Sequence, residues 1–326
     1  MQSRIARRTL SSTAIALLAL TGAAVPVCAQ AADRIEVFSL HFAPPDGTRV
    51  IETQHRSVTR TATGQPTHTD ESEIRFIGTF KALATGYRYA RQTDSYVFRR
   101  DGKEVSNPIS ETVTRAALTY TLDLKGKAID IQGMAGLEAK ASSALAPEVA
   151  AQAAPVLAQL AESNLVAREK EEWDARYAEF AERTFAIGGG SNDRASYALP
   201  SGEQLEFWIR TTVPRHEVCP AGNCVRIDFS YESDAAEVAK WPNPPASSTG
   251  HAAAPAPGKE GSSPAGTDPA HPARITGHAS RLIDPATMRI YGETFDRTIT
   301  STLNAPGQGP IEVSRHEQRT YDYRYE

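Results

Sequence analysis

Apolar and polar side chains alternate along much of this chain, and a two-residue period is the mark of half-buried β-strands. The run from Val225 to Glu232 keeps the alternation without a fault. Just before it, Leu205, Phe207, Ile209, Thr211 and Val213 share one face, with Glu206 and Arg210 on the other. The same logic predicts strands where Ile74, Phe76, Gly78 and Phe80 share a face, and where Leu118, Tyr120, Leu122 and Leu124 do. It also predicts strands at Ile129 and Ile131, and where Tyr321, Tyr323 and Tyr325 alternate with charged residues. Turn residues punctuate these runs, among them Pro45-Asp46-Gly47, Asp101-Gly102, Lys125-Gly126 and Asp284-Pro285. Asp-Gly between strand patterns marks a tight hairpin, whose turn needs positive φ.

Two predicted strands are polar on both faces. From Arg49 to Arg60, one face carries Val50, Glu52, Gln54, Arg56 and Val58, and the other Ile51, Thr53, His55, Ser57 and Thr59. The last strand has Arg315-His316-Glu317-Gln318-Arg319 at its middle. A membrane-spanning barrel needs an unbroken apolar outer band, and these strands do not supply it.

The strand period breaks once. Residues 134–185 are rich in Ala, Glu, Leu and Lys, and Trp173, Tyr177 and Phe180 recur at helical spacing. The expectation is a helical block whose aromatic stripe docks on the sheet. Ser163 is the expected N-cap of its main helix, and Pro147 and Pro155 start shorter helices before it. Glu169, Glu172, Asp174 and Glu179 read as a solvated helical face, and Gly188-Gly189-Gly190 as the exit from the block. The fold class expected is mainly β with a mid-chain helical block (α+β): a long, curved antiparallel meander with helices packed on one face.

Composition then divides the chain. Eight of its 21 prolines fall between Pro242 and Pro272, a stretch without a single Val, Ile, Leu, Met or aromatic residue. Such a segment buries too little apolar surface to offset the entropy of ordering it, so 242–273 reads as a disordered loop. The domain of 30–241 resumes at 274–326. Residues 1–29 run basic, apolar, small, as a secretory signal does, with cleavage expected between Ala29 and Gln30. The leader holds three arginines and no acid, so the rest stands at 32 basic against 39 acidic residues, a formal charge of −7. That acidity excludes nucleic acid as a bulk-charge partner. No further long apolar segment follows, so no transmembrane segment is expected in the mature chain. The location expected is periplasmic or secreted.

Cleavage would also remove Cys28, leaving Cys219 and Cys224, which an oxidising compartment would join in a structural disulfide. Signatures of chemistry are few. No His-x-His or His-Glu-x-x-His metal motif occurs, and a site assembled from His55, His278 and His316 would need distant strands to meet. Neither a G-x-S-x-G elbow nor a phosphate loop is present. No catalytic residue, metal or cofactor is therefore assigned.

The order of leader, meander, mid-chain helices and further strands resembles uncharacterised exported bacterial β-meander proteins, in which a strand like Tyr120–Leu124 meets a Lys125-Gly126 turn. In architecture it is similar to the periplasmic lipoprotein carriers, whose half-open curled sheet is covered by helices. Neither resemblance carries over ligand residues. Together they imply a non-enzymatic envelope protein that binds a lipid, an apolar peptide or an envelope protein on its sheet. Phe207, Ile209, Ile227, Phe229 and Tyr231 are the candidate lining. The alternatives are a structural component of an envelope assembly, using exposed strand edges, and a hydrolase with dispersed site residues.

Overall fold

A computed structural model describes residues 36–199, 204–242, 273–304 and 310–326. The expected leader and its cleavage point at Ala29 and Gln30 lie outside these residues, as does all but the ends of the Pro/Ala-rich segment 242–273.

The alternating runs form strands. The first set comprises β1 (Val37–Ser39), β2 (Arg49–Ala62), β3 (His68–Leu83), β4 (Gly86–Arg100), β5 (Lys103–Glu104), β6 (Leu118–Leu122) and β7 (Ala128–Gln132). The second comprises β8 (Thr184–Ala186), β9 (Gly190–Ala198), β10 (Gln204–Thr212), β11 (His216–Cys219), β12 (Gly222–Glu232), β13 (Arg274–Ile283), β14 (Ile290–Asn304) and β15 (Pro310–Tyr325). Thirteen of them make one open sheet in the order β7-β6-β4-β3-β2-β15-β14-β13-β12-β10-β9, with β5 beside β4 and β11 beside β12. Two meanders thus run outward from a central seam where β2 pairs antiparallel with β15. At the end of that seam Arg49 and Glu326 exchange both backbone hydrogen bonds, at 3.0 and 2.9 Å. β1 and β8 form a separate two-stranded ladder.

This topology explains the helices. β7 and β9 are the opposite outer edges of the sheet, so the chain between them must cross its full width. It does so over one face, hereafter the inner face, through α2 (Leu137–Ser143), α3 (Pro147–Gln152), α4 (Ala154–Leu157) and α5 (Glu162–Arg176). Two short helices lie outside the crossing: α1 (Pro108–Thr114), which packs Ile109 and Val113 against the main core, and α6 (Ala235–Val238), which follows β12. Pro147 and Pro155 sit in the first turns of α3 and α4, where a missing N–H costs nothing.

Trp173 anchors the crossing. Its ring lies 4.7 Å from that of Tyr120, 5.4 Å from Tyr89 and 4.6 Å from Tyr177. Its indole N–H donates to the Gly126 carbonyl at 2.7 Å, so the one polar atom of this buried ring is satisfied. Gly78 makes room for this packing: a Cβ there would come within 2.2 Å of the Tyr89 hydroxyl.

The structure corrects several local expectations. α5 begins at Glu162 with Ala161 at its N-cap, not at Ser163. It ends at Arg176, so Tyr177 and Phe180 belong to the irregular segment that continues the crossing. Leu124 lies in the turn beyond β6 and is exposed. Ile131 is buried but Ile129 is exposed, because the register shifts between Thr121 and Leu122 and the extra residue in β7 breaks the alternation. Gly188-Gly189-Gly190 leads from β8 into β9 and not out of a helix.

Candidate functional site

The site lies on the inner face, where the crossing segment leaves part of the sheet uncovered. Pairing registers define what meets there, because directly paired residues point to the same side. One row across the sheet runs Arg56, Arg319, Phe295, Ala279, Phe229 and Thr211. The next runs Val58, Glu317, Arg297, Gly277, Tyr231 and Ile209. The polar middles of β2 and β15 are therefore adjacent, and Arg56, Arg315, Glu317 and Arg319 all face inward.

Those charges form several neighbouring groups of ion pairs. Glu317 is only 1% exposed and meets four guanidiniums. Its Oε1 accepts from Arg56 at 2.7 Å and Arg319 at 2.8 Å, and its Oε2 from Arg297 at 3.2 Å and Arg315 at 3.1 Å. Burial alone would raise the carboxyl's pKa, but Arg319, Arg56 and Arg315 outweigh it and bring it down to about 2. Farther along the face, Glu293 pairs with Arg281 at 3.2 Å and with Arg176 of α5 at 3.7 Å. Burial pushes Glu293 up, and these two arginines pull it below its ordinary value. Glu52 goes the other way: burial raises its pKa despite Arg176 at 3.7 Å.

α5 contributes more to this network than a solvated face would. Glu169 turns inward, accepting from Arg91 at 3.1 Å and from the Tyr120 hydroxyl. Asp174 accepts the Ala128 N–H of edge strand β7 at 2.9 Å. Both were legible only as helix-surface acids, because nothing in α5 itself shows which sheet residues lie beneath it. In total the inner-face ion pairs, with Asp70 and its partners Arg60 and Arg100 at the rim, join nine arginines to five carboxylates. The chain as a whole is net negative at −4. Positive charge is thus concentrated on one face of an acidic protein.

Beside the network a groove of about 780 Å³ opens between the 172–183 segment and the sheet. Phe180, Phe229, Tyr231, Phe295 and Tyr321 supply aromatic walls, and Ile209 an aliphatic one. Arg176, Arg281, Arg297 and Arg319 line the same space, and so do the acids Glu172, Glu179, Asp193 and Glu293. Several of these guanidiniums lie over rings: Arg281 is 5.1 Å from the Phe180 centroid, and Arg297 is 5.0 Å from that of Phe295. The arrangement offers flat apolar surface with cations at its edge.

Of the candidate lining residues, the structure brings Ile209, Phe229 and Tyr231 to this groove. Ile227 is on the same face but wholly buried in the main core. Phe207 packs instead into a second cluster with Leu199, Leu205, Ile275 and Ile299. Cys219 and Cys224 are joined as a disulfide across the β11–β12 hairpin, well buried at its tip. On the outer face His316 pairs with Asp296 at 3.1 Å and His55 lies 3.9 Å from Glu73. No group of three His, Cys, Asp or Glu residues is placed to hold a metal among the described residues.

Comparison with known proteins adds little. No protein-family model matches the chain, and no curated protein matches it in sequence. Among solved structures it is similar to a Bacteroides fragilis protein described as exported, with a YmcC-like fold. That match has 9% sequence identity, covers 85% of this chain and 96% of the other, and has a TM-score of 0.20. A score so low transfers neither fold nor function.

Proposed function

We propose that this is a non-enzymatic exported binding protein, and that its inner-face groove holds the apolar portion of a lipid-like envelope amphiphile. The observation that carries this reading is the lining of the groove: aromatic and aliphatic side chains beside guanidiniums, in a space of about 780 Å³. Small-ligand sites are concave, with volumes from about 300 to 1,000 Å³, and the groove falls within that range. Export is supported by the basic-apolar-small order of residues 1–29 and by a disulfide, which persists in oxidising compartments. No helix among the described residues is long and apolar enough to cross a membrane. Function by binding fits a sequence without a catalytic signature.

Titration with a fluorescent dodecyl-chain fatty acid tests the proposal. Saturable binding is expected, and Ala195→Trp, which places an indole in the groove wall, should abolish it while the protein stays folded by circular dichroism. Absence of saturable binding to the unaltered protein would reject the reading.

One observation favours a second reading, a component of an envelope assembly. β9 is an outer strand of nine residues, with β10 as its one strand neighbour among the described residues. A free edge offers unpaired N–H and C=O groups to another strand. Crosslinking from β9 in living cells would return a reproducible protein partner under this reading and only isolated monomer otherwise.

A further inference from the structure

We infer that the Glu317 arginine cluster is an anion subsite, which takes the phosphate, sulfate or carboxylate head of the amphiphile whose apolar part lies in the groove. The inference rests on the groove reading and adds to it the charge class of the ligand.

Charge balance leads to it. Four guanidiniums surround one carboxylate, so the cluster carries three positive charges more than its own partner neutralises. A guanidinium has five N–H donors and no acceptor, and one carboxylate has room for only a few of them. Arg56 and Arg319 each turn two nitrogens to Oε1, whereas Arg297 and Arg315 each give Oε2 a single one. Most of the donors therefore point elsewhere. The cluster is partly open to solvent: the Arg56 side chain is 37% exposed, Arg315 32% and Arg319 25%, while Glu317 beneath them is sealed at 1% and the Nε groups of Arg297 and Arg315 are buried without a partner. A buried carboxylate below and partly exposed arginine side chains above make a preorganised plate. Glu317 fixes the arginine rotamers, and the outward edges remain free for an incoming anion.

Position ties the plate to the groove. Arg297 and Arg319 belong to both, since they pair with Glu317 and also line the cavity. Phe295, which pairs with Arg319 across β14 and β15, forms part of the aromatic wall. A molecule with its tail against Phe295, Phe229 and Tyr231 would thus have its head at these arginines. The other inner-face acids have arginines of their own: Asp70 is held by Arg60 at 2.6 Å and Arg100 at 2.7 Å, and Glu293 by Arg281 at 3.2 Å and Arg176 at 3.7 Å.

Matched ligands separate this inference from the groove reading. Calorimetric titrations would use dodecyl phosphate, neutral dodecyl maltoside and inorganic phosphate, against the full chain and the double variant Arg56→Gln/Arg315→Gln. The variant keeps Arg297 and Arg319 on Glu317, so the carboxylate stays paired; a matching thermal melt verifies the fold. Dodecyl phosphate should bind the unaltered protein at least about tenfold more tightly than the maltoside, as charge-assisted hydrogen bonds to a phosphate head allow. In the variant that preference should collapse while maltoside affinity holds. Equal affinity for the two amphiphiles, or a preference untouched by the variant, would overturn the subsite and leave the groove standing. Failure of both amphiphiles to bind would overturn both readings. Inorganic phosphate binding as tightly as dodecyl phosphate would show a free anion as the ligand and contradict the head-group assignment.

Discussion

Glu317 is the residue on which most of the inner face depends. Removing one partner from a buried ion pair strands the others, at a cost of about 3–5 kcal/mol. Glu317→Gln should therefore lower stability by that amount in urea unfolding, although it changes little in volume. The carboxyl also predicts a pH signature. Its ordinary value is 4.5, and the arginines depress it to about 2 in the folded chain. Its contribution is thus fully present above about pH 4.5 and is lost as pH falls toward 2, amounting to about 3 kcal/mol. Glu52 has the opposite sign, since burial raises its pKa and disfavours the folded state as pH climbs. Comparing the acid limbs of the unaltered protein and Glu317→Gln isolates the Glu317 part: the variant should lose less stability between pH 4.5 and 2. Parallel acid limbs would show that Glu317 is not held by the arginines. The sequence did reveal that Arg49–Arg60 and Arg315–Arg319 are polar on both faces. Which half turned inward was not legible, because the covering helix lies more than a hundred residues away from both strands.

Among the elements, α5 and the β11–β12 hairpin can be tested separately. Trp173 is 7% exposed and packs on rings from β4 and β6. Trp173→Ala should cost about 3–5 kcal/mol, as truncation of a buried aromatic does, and should detach the crossing from the sheet. The expected readout is a lower melting temperature together with faster hydrogen exchange in α5. The disulfide closes a loop with a sequence separation of 5. Its loss in Cys219→Ala/Cys224→Ala should cost about 2 kcal/mol by the loop-entropy estimate, with groove binding retained. Strands were the most legible elements, because a half-buried strand writes its burial directly into alternation; β13 begins at Arg274, where the pattern resumes. Departures arose where local geometry broke the period. The register shift in β7 exposes Ile129, and the aromatic stripe of α5 outruns the helix, which ends one residue before Tyr177. Contacts across the sheet, not helical spacing, position Tyr177 and Phe180.

For the whole molecule, the edge-to-edge crossing is the feature that turns a sheet into a binding surface. One connection must span the sheet from β7 to β9, and it covers the apolar end of the inner face while leaving the charged part beside a groove. Net acidity, read from composition alone, pointed away from anionic partners; the distribution of charge points toward them, with nine arginines and five carboxylates in the inner-face network. Composition sums over a surface that the fold divides, so the cationic face could not be read from it. The most direct test of the binding account is native mass spectrometry of the protein purified from its own host's envelope fraction without detergent. The account predicts an added mass of one small amphiphile, which is lost on denaturation and absent from Ala195→Trp. Bare protein in every preparation, with no amphiphile taken up on incubation, would contradict it.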